Sequence, residues 1–438
     1  MISPKNLIGK VWTAFDGLAT DTVWSAAKDI LLMVNAYASA QFLQLTFEKE
    51  VLGNYFAIFG VIGVLGAFVH SGVGMAALQR ILGERSDAQT TINSYVSWAL
   101  VLSGAAVGLT LVASGLRLEK LGIVEILALA VAELVVIAIV VVITSSVQGI
   151  LGFPESARLR MGVIGIRFTV TTSLFLFGGL NVRNLAFGFL AGFIAYAVWI
   201  LKVYLPHHGL SYTFVKPTKM VITGGLTFSS PMAAGKVQTD GDKYLLSSFG
   251  YEAAGASYGI AYRGMQVANA PLMALESAAF QRFLPKGEGQ RDFHMKKANR
   301  FTWLMFGAGA VLAGIMFLAL PVLEFLLFRG ETKDAGEILP WLLGLIPVMA
   351  LSGTPLNGMI GLGRAKERAY IFAVSAAVSM ALYLPLISRY DWRGALVGTY
   401  LSETFLIVVG WWALRHYQQV ENKRIDDQES MARAKTPT

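Results

Sequence analysis

The stretch "MAAGKVQTDGDKYLLSS", Met232 to Ser248, carries four formal charges, Lys236, Asp240, Asp242 and Lys243, within eight residues. On either side the chain is apolar enough to dissolve in lipid. On a helix, Lys236, Asp240 and Lys243 recur at i, i+4 and i+7 and share one face, while Asp242 turns away with Gln238. Charges deep in a bilayer are costly against lipid, so these must face a partner helix or a water-filled cavity that receives a polar solute. A second reading is that Lys236 and Asp240 satisfy each other one turn apart and only set helix packing.

Further ionisable residues fall inside apolar segments: Arg167, Arg263, Glu133, Glu276, Glu403 and His70, with Lys28 and Asp29 nearer the end of the first span. Arg263 has no local carboxylate and reads as a site residue. Asp29, His70 and Glu133 are the candidates for a coupling or proton relay. The chain has no cysteine, hence no disulfide and no thiolate metal site. It has no phosphate-cradling glycine loop and no HExxH, and His207-His208 alone is too little for a metal. No cofactor, no metal and no catalytic residue is expected. Movement of a solute would then depend on an ion gradient, the membrane potential or the solute's own gradient.

The elements that hold these residues are helices of a membrane protein. Of 438 residues 55% are hydrophobic and only 15% charged, and apolar runs of roughly 20 residues, each long enough to cross a bilayer, recur throughout. Twelve spans are predicted, near 22–46, 54–78, 94–116, 123–147, 160–178, 184–205, 220–248, 254–280, 299–320, 336–360, 368–387 and 394–414. Before them, residues 1–21 read as a cytoplasmic amphipathic leader lying on the membrane. Residues 206–219 are a cytoplasmic linker, and 415–438 a flexible cytoplasmic tail. With the N-terminus cytoplasmic, inner segments hold 23 of the 36 Lys and Arg residues and outer loops 8. This positive-inside bias puts both termini in the cytoplasm and explains the +8 net charge without nucleic acid.

The chain also repeats itself. At an offset of 202, Phe47, Glu50, Gly53, Ile58, Ala76, Ala77, Gln79 and Arg80 meet identical residues at Phe249, Glu252, Gly255, Ile260, Ala278, Ala279, Gln281 and Arg282. Residues 22–205 and 220–414 are then two parallel six-helix bundles around a central cavity, the architecture in which a transporter holds its substrate between repeats.

Residues 224–285 and 355–403 resemble the polysaccharide-transport, O-antigen flippase-like branch of the multidrug/oligosaccharidyl-lipid/polysaccharide flippase superfamily. A charged seventh helix precedes a "G…G.Y..A.R" turn, here Asp240, Asp242 and Lys243 before Gly250, Gly255, Tyr258, Ala261 and Arg263. An "N…G..K" loop and a "G..GA..G" entry to the last helix match Asn357, Gly363, Arg364, Lys366, Gly394, Ala395 and Gly398. Two positions depart: His70 stands near a common Asp, and Tyr383-Leu384 replaces a common polar residue.

The resemblance implies a multi-pass flippase of the bacterial inner membrane for a polyprenyl-diphosphate-linked oligosaccharide repeat unit, in O-antigen or exopolysaccharide biosynthesis. Glycan polymerase and chain-length regulator are the partners it suggests. Arg167, Lys236, Lys243 and Arg263 would hold the diphosphate, with Lys28 also lining the substrate cavity and Asp240, Asp242 and Glu133 binding sugar hydroxyls, keeping the bases in register or carrying a coupling proton. Two rivals remain at this stage: a cation-coupled multidrug antiporter of the same superfamily, and a membrane glycan polymerase or ligase, which the short outer loops disfavour.

Overall fold

The computed structural model describes residues 24, 28, 31–32, 34–83, 85–115, 121–283, 295–322 and 333–434. Among these the chain is helical throughout its spans, with no strand. The leader at 1–21 and Asp29 lie outside the described residues.

Twelve helical spans follow: α1 (34–46), α2 (Lys49–Leu82), α3 (Ala88–Gly115), α4 (Ile123–Leu151), α5 (Phe153–Leu176) and α6 (Val182–His207). The second set is α7 (Lys219–Ser248), α8 (Glu252–Phe283), α9 (Met295–Leu318), α10 (Lys333–Leu343 and Leu345–Gly361), α11 (365–390) and α12 (392–434). The last two are divided at Asp391, whose φ of 48° and ψ of −132° break the helix. α10 is bent by 41° between its two pieces. Among the described residues seven helices, with α11 and α12 taken as one, or eight counting α10 as one span, are long and apolar enough by themselves to cross a membrane. α7 and α8 are not among them, because both carry polar residues that the protein interior must receive.

Local chemistry sets the ends. Asp87 caps α3 by accepting from the Thr90 backbone N–H at 2.8 Å and its hydroxyl at 2.7 Å, which holds its carboxyl below the usual carboxylate range. Asn181 caps α6 through the Asn184 N–H at 2.8 Å. α7 ends in a Schellman turn: Gly250 takes φ 84°, Tyr251 N–H returns to Leu246 O at 2.9 Å, and Gly250 N–H to Ser247 O at 3.0 Å. Gly250 therefore places α8 directly beside the charged turn of α7.

The repeat aligns α2 with α8, and the two meet each other. A Cβ at Gly53 would collide with the Glu252 carbonyl, Phe56 lies on Gly259, and Ser247 donates to Gly53 O at 3.1 Å. α7 runs along the rest of α2, where Gly72 gives the Ser229 backbone room to approach. α8 packs against the Lys49–Gly66 half of α2, at the outer end as the charge count orients the chain. Lys49 of the first half and Asp334 of the second pair there at 3.5 Å.

One sequence expectation changes. The segment after residue 414 does not loosen: α12 continues as helix to Ala434, with Tyr417 packed beneath Arg364 and Glu421 buried. The linker is strapped to α3. Ser211 N–H and O bond the Gln89 amide at 2.9 and 2.5 Å, Thr213 N–H donates to Asn93 Oδ1 at 3.0 Å, and Val215 N–H to Ser97 Oγ at 3.0 Å. Two residues of extended chain advance about 6.6 Å, and one helical i,i+4 step about 6.0 Å, so alternate linker residues stay in register with the Gln89, Asn93, Ser97 ladder.

Candidate functional site

The α7 cluster forms as one connected group, with a division of labour the spacing did not reveal. Lys236 Nζ pairs with Asp240 Oδ2 at 3.1 Å, its side chain 45% exposed. Lys243 instead folds into the second bundle. Its ammonium donates to Asp240 Oδ1 at 3.1 Å, Asp242 Oδ1 at 3.3 Å and Thr239 O at 2.5 Å, and lies 3.7 Å from the centre of the Tyr262 ring. An ammonium has three donors, so these are all engaged, and the ring face covers the remaining side. Asp242 is buried among the second-bundle helices, one oxygen of its carboxylate and the Tyr258 hydroxyl having no hydrogen-bond partner. The four charges sum to zero.

In the first half, Arg167 of α5 binds Glu133 of α4 at 2.5 Å and lies over the Phe189 and Phe193 rings of α6. Glu133 and His70 each sit on a one-turn π-helical segment, Val131–Val136 and Ala67–Ser71, where an extra residue turns a side chain out of the regular stripe. His70 Nδ1 contacts Ser71 Oγ at 3.1 Å, and Arg167 is within electrostatic range of His70 and Tyr55. Arg263 makes no ion pair among the described residues. It stacks 4.3 Å over Phe56 of the opposite half, with Tyr55 and Asp240 in electrostatic range. Lys28 lies apart from all of these, over the Phe153 ring at the inner end of α5.

Of the ten sequence-selected residues Asp29 lies outside the described ones, and the other nine fall into more than one group. Lys236, Asp240, Asp242 and Lys243 come together, with Arg263 nearby. Arg167, Glu133 and His70 form a separate first-half group, and Lys28 belongs to neither.

Residues with no assigned role in the sequence line a polar cleft of about 290 Å³ between the halves. Arg80 and Gln79 of α2, Tyr95 of α3, Thr223 and Thr227 of α7 and Lys366 of α11 contribute polar groups, and among the described residues no carboxylate lines it. Arg80 stood in the repeat and Lys366 in the "N…G..K" loop, but both looked like ordinary positive-inside residues. Deeper in the second bundle a buried polar chain joins Gln238, Ser375, Glu403 and Ser352. Among the described residues no group of His, Asp and Glu is disposed to hold a metal.

No protein-family model and no curated protein matches the chain in sequence. Solved structures do match in fold. A transporter of the MOP superfamily from Pyrococcus furiosus Vc1 (DSM3638), whose binding pocket is described as reversed in polarity, superposes with a TM-score of 0.66 at 14% identity, over 92% of this chain and 96% of that one. The outward-facing form of a multidrug resistance MATE family transporter gives 0.63 at 16% identity over 92% and 99%. An inward-facing form of such a transporter gives 0.62 at 16% over 91% and 96%. The chain thus shares its fold with these transporters over nine-tenths of its length.

Proposed function

We propose that the chain is a flippase that moves a polyprenyl-diphosphate-linked oligosaccharide across the bacterial inner membrane by alternating access, both termini cytoplasmic. The inner cleft carries this reading. It opens between the halves at the end where such a substrate would be delivered, and among the described residues its lining combines Arg80 and Lys366 with hydroxyl and amide groups. Bases of this kind suit a diphosphate, and the surrounding hydroxyls suit the first sugars. The acids of α4 and α7 named here are already occupied: Glu133 by Arg167, Asp240 by Lys236 and Lys243, Asp242 by Lys243. Lys236 is the half-exposed charge of the α7 group. The glycan polymerase and chain-length regulator acting on the exported unit are the partners this implies.

A second reading is a cation-coupled multidrug antiporter, favoured by the multidrug resistance MATE transporters that share the fold. A lipophilic cation needs an available carboxylate in the path, and the α7 acids are neutralised by the chain's own lysines. The two readings separate on purified protein. Anything that binds the native state raises the unfolding midpoint, so a polyprenyl diphosphate should raise it and ethidium should not. Stabilisation by ethidium alone would replace the flippase with the antiporter.

A further inference from the structure

The polar chain around Glu403 has a direction that its hydrogen atoms decide. Ser375 Oγ donates to Gln238 Oε1 at 3.2 Å, and Gln238 Nε2 donates to Glu403 Oε1 at 3.2 Å. Ser352 Oγ lies 3.2 Å from the other carboxyl oxygen, Oε2. The same hydroxyl donates to Met349 O at 2.9 Å. A serine hydroxyl has one hydrogen and two lone pairs. One hydroxyl hydrogen cannot serve both Met349 O and Glu403 Oε2 at once, and both contacts are met together when Oε2 carries a hydrogen that Ser352 accepts.

Burial and charge agree. Glu403 is 5% exposed, and no Lys, Arg or His pairs with it among the described residues. Every other mid-membrane acid named above has a lysine or arginine, and Glu276 has the Asn357 amide with Arg368 in electrostatic range. An unpaired buried carboxylate is the form a protein interior disfavours most. The groups facing Glu403 are neutral from each element: Gln238 of α7, Ser352 of α10, Ser375 and Tyr383 of α11, and Tyr262 of α8. The charges of α7 on either side of Gln238 are bonded among themselves, Lys236 to Asp240 and Lys243 to Asp240 and Asp242.

We propose that Glu403 is a proton-binding site, occupied in this arrangement with the cleft at the inner end, and that its proton controls how firmly α7 is held against α10 and α12. Tyr383 reinforces that hold by donating to Gln238 O at 2.9 Å, so the grip falls on α7 between Lys236 and Asp240. On release, the O–H bond of the carboxyl breaks, its electron pair stays on Oε2, and the proton passes to a solvent water. Ser352 must then leave Met349 O to donate to the carboxylate, and an uncompensated anion remains beside α7. Relief comes when water or a base reaches Glu403, which requires α7 and α12 to part. This rests on the transport reading for its purpose, but the protonation and the motion do not need a substrate.

Infrared spectroscopy of the purified chain in detergent tests the protonation without a variant. A carboxylic-acid C=O band should be present at neutral pH, shifted by 13C labelling of glutamate, and E403Q should lose a component that E276Q keeps. No such band in the wild type, or a full band in E403Q, overturns the assignment. The motion is read by alkylation of a single cysteine at Thr227→Cys in the cleft, since the chain has none of its own. Its rate should change with pH several-fold in the wild-type background and stay constant with E403Q, whose amide imitates the protonated acid. Equal pH response in both backgrounds overturns the coupling to α7. Failure of the flippase reading would leave both measurements unaffected.

Discussion

The ammonium of Lys243 sits 3.7 Å from the centre of the Tyr262 ring, with Asp240 and Asp242 on its other sides. A lysine that pairs with two aspartates and covers its last face with an aromatic ring is a fixed internal counter-ion of the second bundle. Lys236, four residues from Asp240, keeps an ammonium within reach of a solute.

Lys243→Met should therefore be costly to the fold, because it strands Asp242 in a buried site. Breaking a buried pair from one side costs about 3–5 kcal/mol. The unfolding midpoint of the purified protein should fall in the single variant and recover most of the loss in D242N/K243M. Equal midpoints for the two variants would mean that Lys243 does not neutralise Asp242.

Glu133 and Arg167 make the same argument in the first bundle, across 34 residues of sequence. Glu133→Gln and Arg167→Met should each destabilise, and the double variant should lose less than the sum. A double-mutant cycle should return a coupling of about 1–3 kcal/mol. A coupling near zero would free Arg167 for a substrate role.

Lys49 and Asp334 lie 3.5 Å apart on opposite halves. With cysteines at both positions, a short bifunctional thiol reagent should join them in resting protein, and transport should stop until the link is cleaved. Absence of linkage would place the resting state of the protein in another conformation.

The linker strap predicts a local effect. Asn93→Ala removes the acceptor of the Thr213 N–H, a bond of about 0.5–1.5 kcal/mol. Limited proteolysis should cut the 208–218 segment faster in N93A, with the bundles left intact. An unchanged cleavage rate would show that the ladder does not hold the linker.

Much of this architecture was legible because lipid imposes few solutions. The spans and the strain of charges at Lys236 to Lys243 follow from length and from the cost of burying charge. Of the repeated glycines, Gly53 lets α2 approach Glu252 of α8, while Gly255 packs on Leu246 and Ser247 of α7. The pairings were hidden for a physical reason: Glu133 meets Arg167, and Gln238 meets Glu403 across 165 residues, through tertiary packing alone. Lys243 read as a cavity-facing base since its spacing from Lys236 fits one helix face. The side chain is long enough to fold towards Tyr262, where desolvation is repaid by two carboxylates. The Gln89, Asn93, Ser97 ladder was in principle readable from its i,i+4 spacing. Its partner, an extended linker, has no periodic signal of its own. Residues 415–434 looked too polar to be ordered, and become helical by continuing α12 onto Arg364.

The most direct test of the account is the leaflet in which a deletion strain holds its lipid-diphosphate-linked oligosaccharides, with the gene restored as wild type, K236R or K236E. The account predicts accumulation on the cytoplasmic face, released by wild type and largely by K236R, and release reduced at least tenfold by K236E at equal protein levels. Full release by K236E would contradict the role of Lys236 in substrate passage. Normal outward distribution in the deletion strain, with no second flippase present, would contradict the flippase itself.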